Sequence, residues 1–225
     1  MSEFGITASQ TVGPFLKIGL AQGDQEYVVA ENAKGALRID GHVYDGQGQP
    51  VPDAMIEIWQ ANIYGKYDHP DDRIDAELVK SFFGFGRSCT DNSGHFFFVT
   101  VKPGRVFGLG NTLQAPHIAI NVFARGMLKQ QVTRLYFSDE IEANSEDPVL
   151  NSIEDAEVRD TLVASKVDDQ NGMTCYKFNI HLQGEKETAF FDVCKIDASR
   201  PICRGHGKQY LQAINHHIEH DYRVR

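Results

Sequence analysis

Gly41-His-Val-Tyr-Asp-Gly-Gln-Gly-Gln-Pro-Val-Pro-Asp-Ala-Met-Ile-Glu-Ile-Trp-Gln-Ala-Asn62 reads as strand, turn, strand. His42-Val-Tyr44 continues an extended run from Ala36, and Asp45-Gly-Gln-Gly48 carries hairpin turn chemistry. After Pro52, Ile56 and Ile58 alternate with Glu57 and Trp59, the period-two pattern of a strand with one buried face. A second unit follows, with a strand around Ser88, a turn at Asp91-Asn-Ser-Gly94 and the aromatic, β-branched run Phe96–Val101. Further strands are expected at 117–123, 132–137 and 175–182. Many short strands punctuated by turns mean an all-β chain, here a β-sandwich with long loops.

Helical spacing is sparse. Asp155–Ser165 is expected to form a minor helix, and Gln209–His220 places Tyr210, Leu211, Ile214 and Ile218 on one helical face. The expected organisation is an N-terminal arm over 1–35 that packs on a partner subunit, a sandwich domain over 36–193, and a C-terminal extension over 194–225. His216, His217 and His220 have metal-like spacing, but in such an extension they read as solvated side chains.

Composition narrows the function. The 225 residues carry a formal net charge of −9, which excludes a binder of nucleic-acid backbone, since that needs clustered Lys and Arg. No apolar run is long enough to span a membrane and none resembles a secretory leader, so a cytoplasmic location is expected. Cys89, Cys175, Cys194 and Cys203 lack the paired spacing of a zinc site and are expected to be reduced thiols. Chemistry-bearing residues gather after the second strand, where Tyr64, Tyr67 and His69 follow one another, and at His117. Phenolate and imidazole together suit ferric iron, although such residues also serve ordinary packing. Trp59 reads as core and Arg87 as a loop anchor.

The stretch Gly41–Asn62 resembles the signature of intradiol ring-cleaving dioxygenases, in which a strand ending in Trp-Gln-Ala delivers a ligand tyrosine on the next loop. Phe85-Gly-Arg-Ser-Cys-Thr-Asp91, Val101-Lys-Pro-Gly104 and Ala115-Pro-His-Ile118 follow in the order of that family. The resemblance runs from about Thr7 to Val193. It implies O2-dependent cleavage of a catechol ring with Fe(3+) as cofactor, held by two tyrosines and two histidines. Those four positions fall here on Tyr67, Val106, His117 and Ala119, and the position of the family's catalytic arginine is Gln114. Val106 and Ala119 have no donor atom, so the pocket is degenerate and no metal is expected on this chain. Rescue of a metal site by Tyr64 or His69 would require the shell to be rebuilt.

Some members of the family are hetero-oligomers in which an iron-free α chain completes the pocket of an iron-bearing β chain. The present chain resembles the former, as Thr7–Phe15, Phe123-Ala-Arg-Gly126 and Gln183–Asp192 also suggest. The resemblance implies a homologous, iron-bearing β subunit as partner in a 1:1 hetero-oligomer. The expected substrate is a protocatechuate-like catechol, with no catalytic residue in this chain alone. Expected substrate contacts in trans are the arm residues Thr11, Gly13 and Pro14, together with Arg134 and Tyr136. On an alternating strand Arg134 shares a face with Val132 and Tyr136, and its guanidinium suits a ring carboxylate. Two alternatives remain open: a non-enzymatic interaction module on the same fold, and a self-sufficient dioxygenase with relocated ligands.

Overall fold

The alternation read from the sequence becomes two sheet halves whose inner faces share one core. In the computed structural model, which describes residues 10–13, 15–77, 79, 82–108, 111–170 and 172–191, nine strands are laid down: β1 (Ala36–Tyr44), β2 (Met55–Trp59), β3 (Phe85–Cys89), β4 (His95–Val101), β5 (His117–Phe123), β6 (Gln131–Phe137), β7 (Val163–Gln170), β8 (Met173–Lys177) and β9 (Ile180–His181). They hydrogen-bond in the order β3-β2-β5-β6-β7-β8-β1-β4, with β9 added beside β1. Strand β7 joins the halves, parallel to β6 at Tyr136–Val163 and antiparallel to β8 at Ser165–Lys177.

Period two decides what is inside. Leu37, Ile39 and Val43 of β1, Ile56 and Ile58 of β2, Phe96 and Phe98 of β4, Ile118 and Ile120 of β5, and Leu135 and Phe137 of β6 are all buried in one cluster. Each contributes on the order of 2 kcal/mol by leaving water. Gly41 is required in β1 because a Cβ there would overlap the Phe178 carbonyl oxygen and the Phe96 ring. A second, smaller cluster forms on the outside of β6. Tyr136 packs there with Ala143, Leu150, Ile153, Leu162 and Phe191, beneath the segment that carries α2 (Ile141–Glu146), a 3-10 turn at Leu150–Ser152 and α3 (Ala156–Asp160).

The helix expected over 155–165 is corrected. Asp155 caps a short helix by accepting hydrogen bonds from the Glu157 and Val158 amides. The helix ends at Asp160, and Val163-Ala-Ser165 enters β7 instead. Pairing with Tyr136 and Phe137 buries Ala164 in the main core, which outweighs helix propensity over one short stretch. The tail helix over 209–220, His216, His217, His220, Cys194 and Cys203 lie outside the described residues. Cys89 and Cys175 are free thiols.

Near the N-terminus, α1 (Phe15–Leu20) and the residues after it lie on the chain's own sheets. Lys17 donates to the carbonyls of Thr90 at 2.7 Å and Pro52 at 3.1 Å. The Val28 amide donates to Val99 O at 2.9 Å. Arg87 pairs with Glu57 and donates to Leu20 O at 3.2 Å, the anchoring role its sequence context suggests. Among the described residues no helix is long and apolar enough to cross a membrane.

Candidate functional site

The site is built on the outer face of β2, β5 and β6, where Trp59, Ala119 and Arg134 fall in register across three strands. Beyond Trp59 the chain must turn sharply. Buried Gln60 fixes the exit by donating to Val101 O at 2.9 Å and accepting from Thr100 Oγ1 at 2.7 Å. The Asn62 Oδ1 atom accepts from the Tyr64 and Lys66 amides, closing the turn that presents Tyr67. Gly65 sits in this turn at φ +76, and a Cβ there would overlap the Arg105 carbonyl oxygen. Only glycine meets both conditions. The Tyr67 ring then stacks on Trp59 with centroids 5.9 Å apart and planes 13° apart. Trp59, expected in the core, is instead a half-buried platform for the loop.

Tyr67, Val106, Gln114, His117 and Arg134 line one cavity of about 520 Å³, with His69, Asp71, Asp72, Arg73, Ile74 and Phe107 completing its wall. Four of the five family positions are thus brought together. Ala119, the fifth, lies on the same face between Trp59 and Arg134. Tyr64 is half exposed and lies apart from the lining. His117 is buried and hydrogen-bonds through Nδ1 to Ala115 O at 2.8 Å. A carbonyl only accepts, so Nδ1 carries a proton in this contact.

Beneath the cavity runs a buried polar chain that the sequence only half discloses. Arg134, 8% exposed, donates through Nη1 to Gln114 Oε1 at 2.7 Å and weakly to the Tyr136 hydroxyl at 3.4 Å. Tyr136 donates to Asp147 Oδ1 at 3.2 Å. The Asp147 carboxylate also accepts from the Ala115, Val149 and Leu150 amides at 2.7–2.9 Å. Burial opposes the charge on Arg134, but the oxygens of Tyr136, Tyr67 and Asp147 hold its pKa above the ordinary arginine value. Burial, then the nearby Asp147 carboxylate, pushes the Tyr136 phenol well above its ordinary range despite Arg134. Tyr136, expected as a pocket wall, is wholly buried and lies outside the cavity lining.

These residues do not supply the family's four-ligand ferric set. Val106 and Ala119 offer no lone pair, and a guanidinium lines the cavity that a trivalent cation would enter. The Asp72 carboxylate is engaged by the Tyr67 and Ile74 amides. Among the described residues no group of three or more His, Cys, Asp or Glu side chains is placed to hold a metal.

The arm residues sit elsewhere. Thr11 Oγ1 accepts from the Gly126 amide at 2.8 Å, in the connection between β5 and β6. Gly13 lines a cavity of about 310 Å³ with Val12, Leu16, Lys17, Ile18, Asp53, Met55 and Arg125. Pro14 lies outside the described residues. Arg125 pairs with Asp53, yet its side chain is 68% exposed. The arm therefore neighbours Arg125 and not Arg134, whose strand position is about 10 Å from the end of β6 nearest the connection. Sequence reasoning passed over Arg125. Its one signal was its place in Phe123-Ala-Arg-Gly126.

A family model described as Dioxygenase matches residues 18–184. The chain is 43% identical over 199 residues to the protocatechuate 3,4-dioxygenase alpha chain of Pseudomonas putida, covering 83% of this chain and 96% of the relative. It is 40% identical over 206 residues to the corresponding alpha chain of Burkholderia cepacia, covering 86% and 100%. The beta chain of the B. cepacia enzyme is 34% identical over 157 residues, with 67% and 65% covered. Among solved structures, catechol 1,2-dioxygenase from Pseudomonas arvilla C-1 superposes with a TM-score of 0.51 at 20% identity, covering 83% of this chain and 61% of that one. That likeness concerns the fold alone.

Proposed function

The chain belongs to the intradiol ring-cleaving dioxygenases, and from that premise we propose that it is the non-iron-binding alpha subunit of a protocatechuate 3,4-dioxygenase. The observation that carries this reading is a pair of facts about one chain. It matches alpha chains over nearly their whole length, and two of the four family ligand positions here lack donors. The family uses Fe(3+), and in this reading the ion resides on a homologous beta subunit in a 1:1 hetero-oligomer.

The reaction splits the bond between the two hydroxylated ring carbons of protocatechuate. Both atoms of O2 enter the product, 3-carboxy-cis,cis-muconate. The iron, when bound on the partner, supplies activation of the catecholate towards O2. This chain's part is positional. Thr11 and Gly13, fixed at the β5–β6 connection by the hydrogen bond to Gly126, would form a rigid lip on the partner's pocket. Arg125 beside them is exposed and charged, and its planar fork suits the ring carboxylate. Arg134 is buried and lies apart from the arm, which favours Arg125 for this role.

In the assembled αβ enzyme, Arg125→Gln should raise KM for protocatechuate by about tenfold and leave KM for unsubstituted catechol within about twofold. Equal effects on the two substrates would remove the carboxylate role.

A further inference from the structure

Arg134 is more than nine-tenths buried, lines the cavity of about 520 Å³ and forms no ion pair among the described residues. Its hydrogen bonds there all leave through Nη1, to the neutral acceptors Gln114 and Tyr136. The Nε–H and the two Nη2 hydrogens have no partner among the described residues. A guanidinium presents five N–H donors in a rigid fork, and Nε–H with one Nη2–H matches the two oxygens of a carboxylate. Three of its five N–H donors therefore have no partner among the described residues, and an anion in the cavity would complete them.

The rest of the wall specifies the anion. Tyr67, held flat on Trp59, together with Phe107, His69 and His117 gives the cavity aromatic sides, and Val106 and Ile74 are apolar. The volume is that of a small-molecule site. Asp71, Asp72 and Arg73 also line it, so carboxylates and a second guanidinium share the rest of the polar wall. We propose that this cavity binds a small, planar aromatic carboxylate, its carboxylate held in a two-point hydrogen bond by Nε and Nη2 of Arg134. The site is lined by this chain's own residues. It rests on the reading that the cavity holds no iron.

The test titrates the assembled αβ enzyme with benzoate, and with benzamide as the uncharged analogue. Calorimetry counts sites, while the visible absorbance of the iron centre reports those that reach the metal. The expected result is one benzoate site per αβ pair that leaves the iron absorbance unchanged. Benzamide should occupy it at least about tenfold more weakly, and Arg134→Gln should weaken benzoate by a similar factor. Val106→Phe narrows the same cavity without touching the guanidinium and should weaken both ligands. If Arg134→Gln does not assemble, the benzamide comparison and Val106→Phe decide the matter. Absence of an iron-silent benzoate site in the unsubstituted enzyme overturns the proposal, as does such a site indifferent to charge and to Val106→Phe. Iron assays on the separated chain test the underlying reading independently, since iron found in this cavity would defeat that reading whatever benzoate does.

Discussion

Asp147 is the residue on which the buried chain under the cavity ends, and it accepts hydrogen bonds from three backbone amides and the Tyr136 hydroxyl. Replacing it with alanine leaves those donors buried without an acceptor. Asp147→Ala should therefore lower the unfolding free energy by about 3 kcal/mol, read from urea denaturation, and Asp147→Asn by less. A loss under about 0.5 kcal/mol would mean that water replaces the carboxylate. Part of this network was legible beforehand. Period two alone places Arg134 and Tyr136 on one face of β6, as the structure has them. Asp147 was not legible, because it comes from a loop beyond the strand and nothing local marks it as the acceptor. Trp59 was misjudged for a related reason. Its large apolar ring suggested the core, but its position beside Ile58 puts it on the opposite face.

At the scale of elements, the loop between Trp59 and Tyr67 depends on one backbone conformation. Gly65→Ala introduces strain at φ +76 and a clash with the Arg105 carbonyl. It should cost about 2–4 kcal/mol in the same denaturation assay, and it should release the Tyr67 ring from Trp59, visible as a change in Trp59 fluorescence. Unchanged stability and fluorescence would place the constraint elsewhere. A different element answers to pH. On the outside of β1 and β9, His42 stacks on Tyr44 at 5.9 Å, and Tyr44 on His181 at 4.9 Å. Burial first, then neighbouring positive charge from His95 and Lys177 or from Lys186, holds both histidines below the ordinary value of 6.5. The unfolded chain consequently takes up protons first as pH falls through about 6.5, so acid favours unfolding. The urea midpoint should drop between about pH 7.5 and about pH 5.5, and the drop should shrink in His42→Gln/His181→Gln. A midpoint equally pH-dependent in that double variant would assign the effect to other groups. Strands β1, β2, β4, β5 and β6 could be read from alternation and turn residues. Strand β7 could not, because Val163 and Ala164 follow a capped helix start and their pairing partners lie on a distant strand.

For the molecule as a whole, the sandwich and the pocket's composition followed from sequence order, since each family position lies beside a recognisable strand or turn. The location of the arm did not. Its contact with Gly126 spans more than a hundred residues and is set by the folded sheet. The same distinction separates the two arginines. Arg134 was visible through strand periodicity, whereas Arg125 gains meaning only once the arm lies beside it. The two proposals rest on different cavities and different arginines, Arg125 for the partner's pocket and Arg134 for a site on this chain. The central claim remains the division of labour between chains, and iron is its direct readout. Iron content and protocatechuate-dependent O2 uptake should be measured for this chain alone, and again after assembly with its beta partner. The account predicts no stoichiometric iron and no uptake for the chain alone, with about one iron per αβ pair and full uptake on assembly. Stoichiometric iron with O2 uptake in the isolated chain would contradict it.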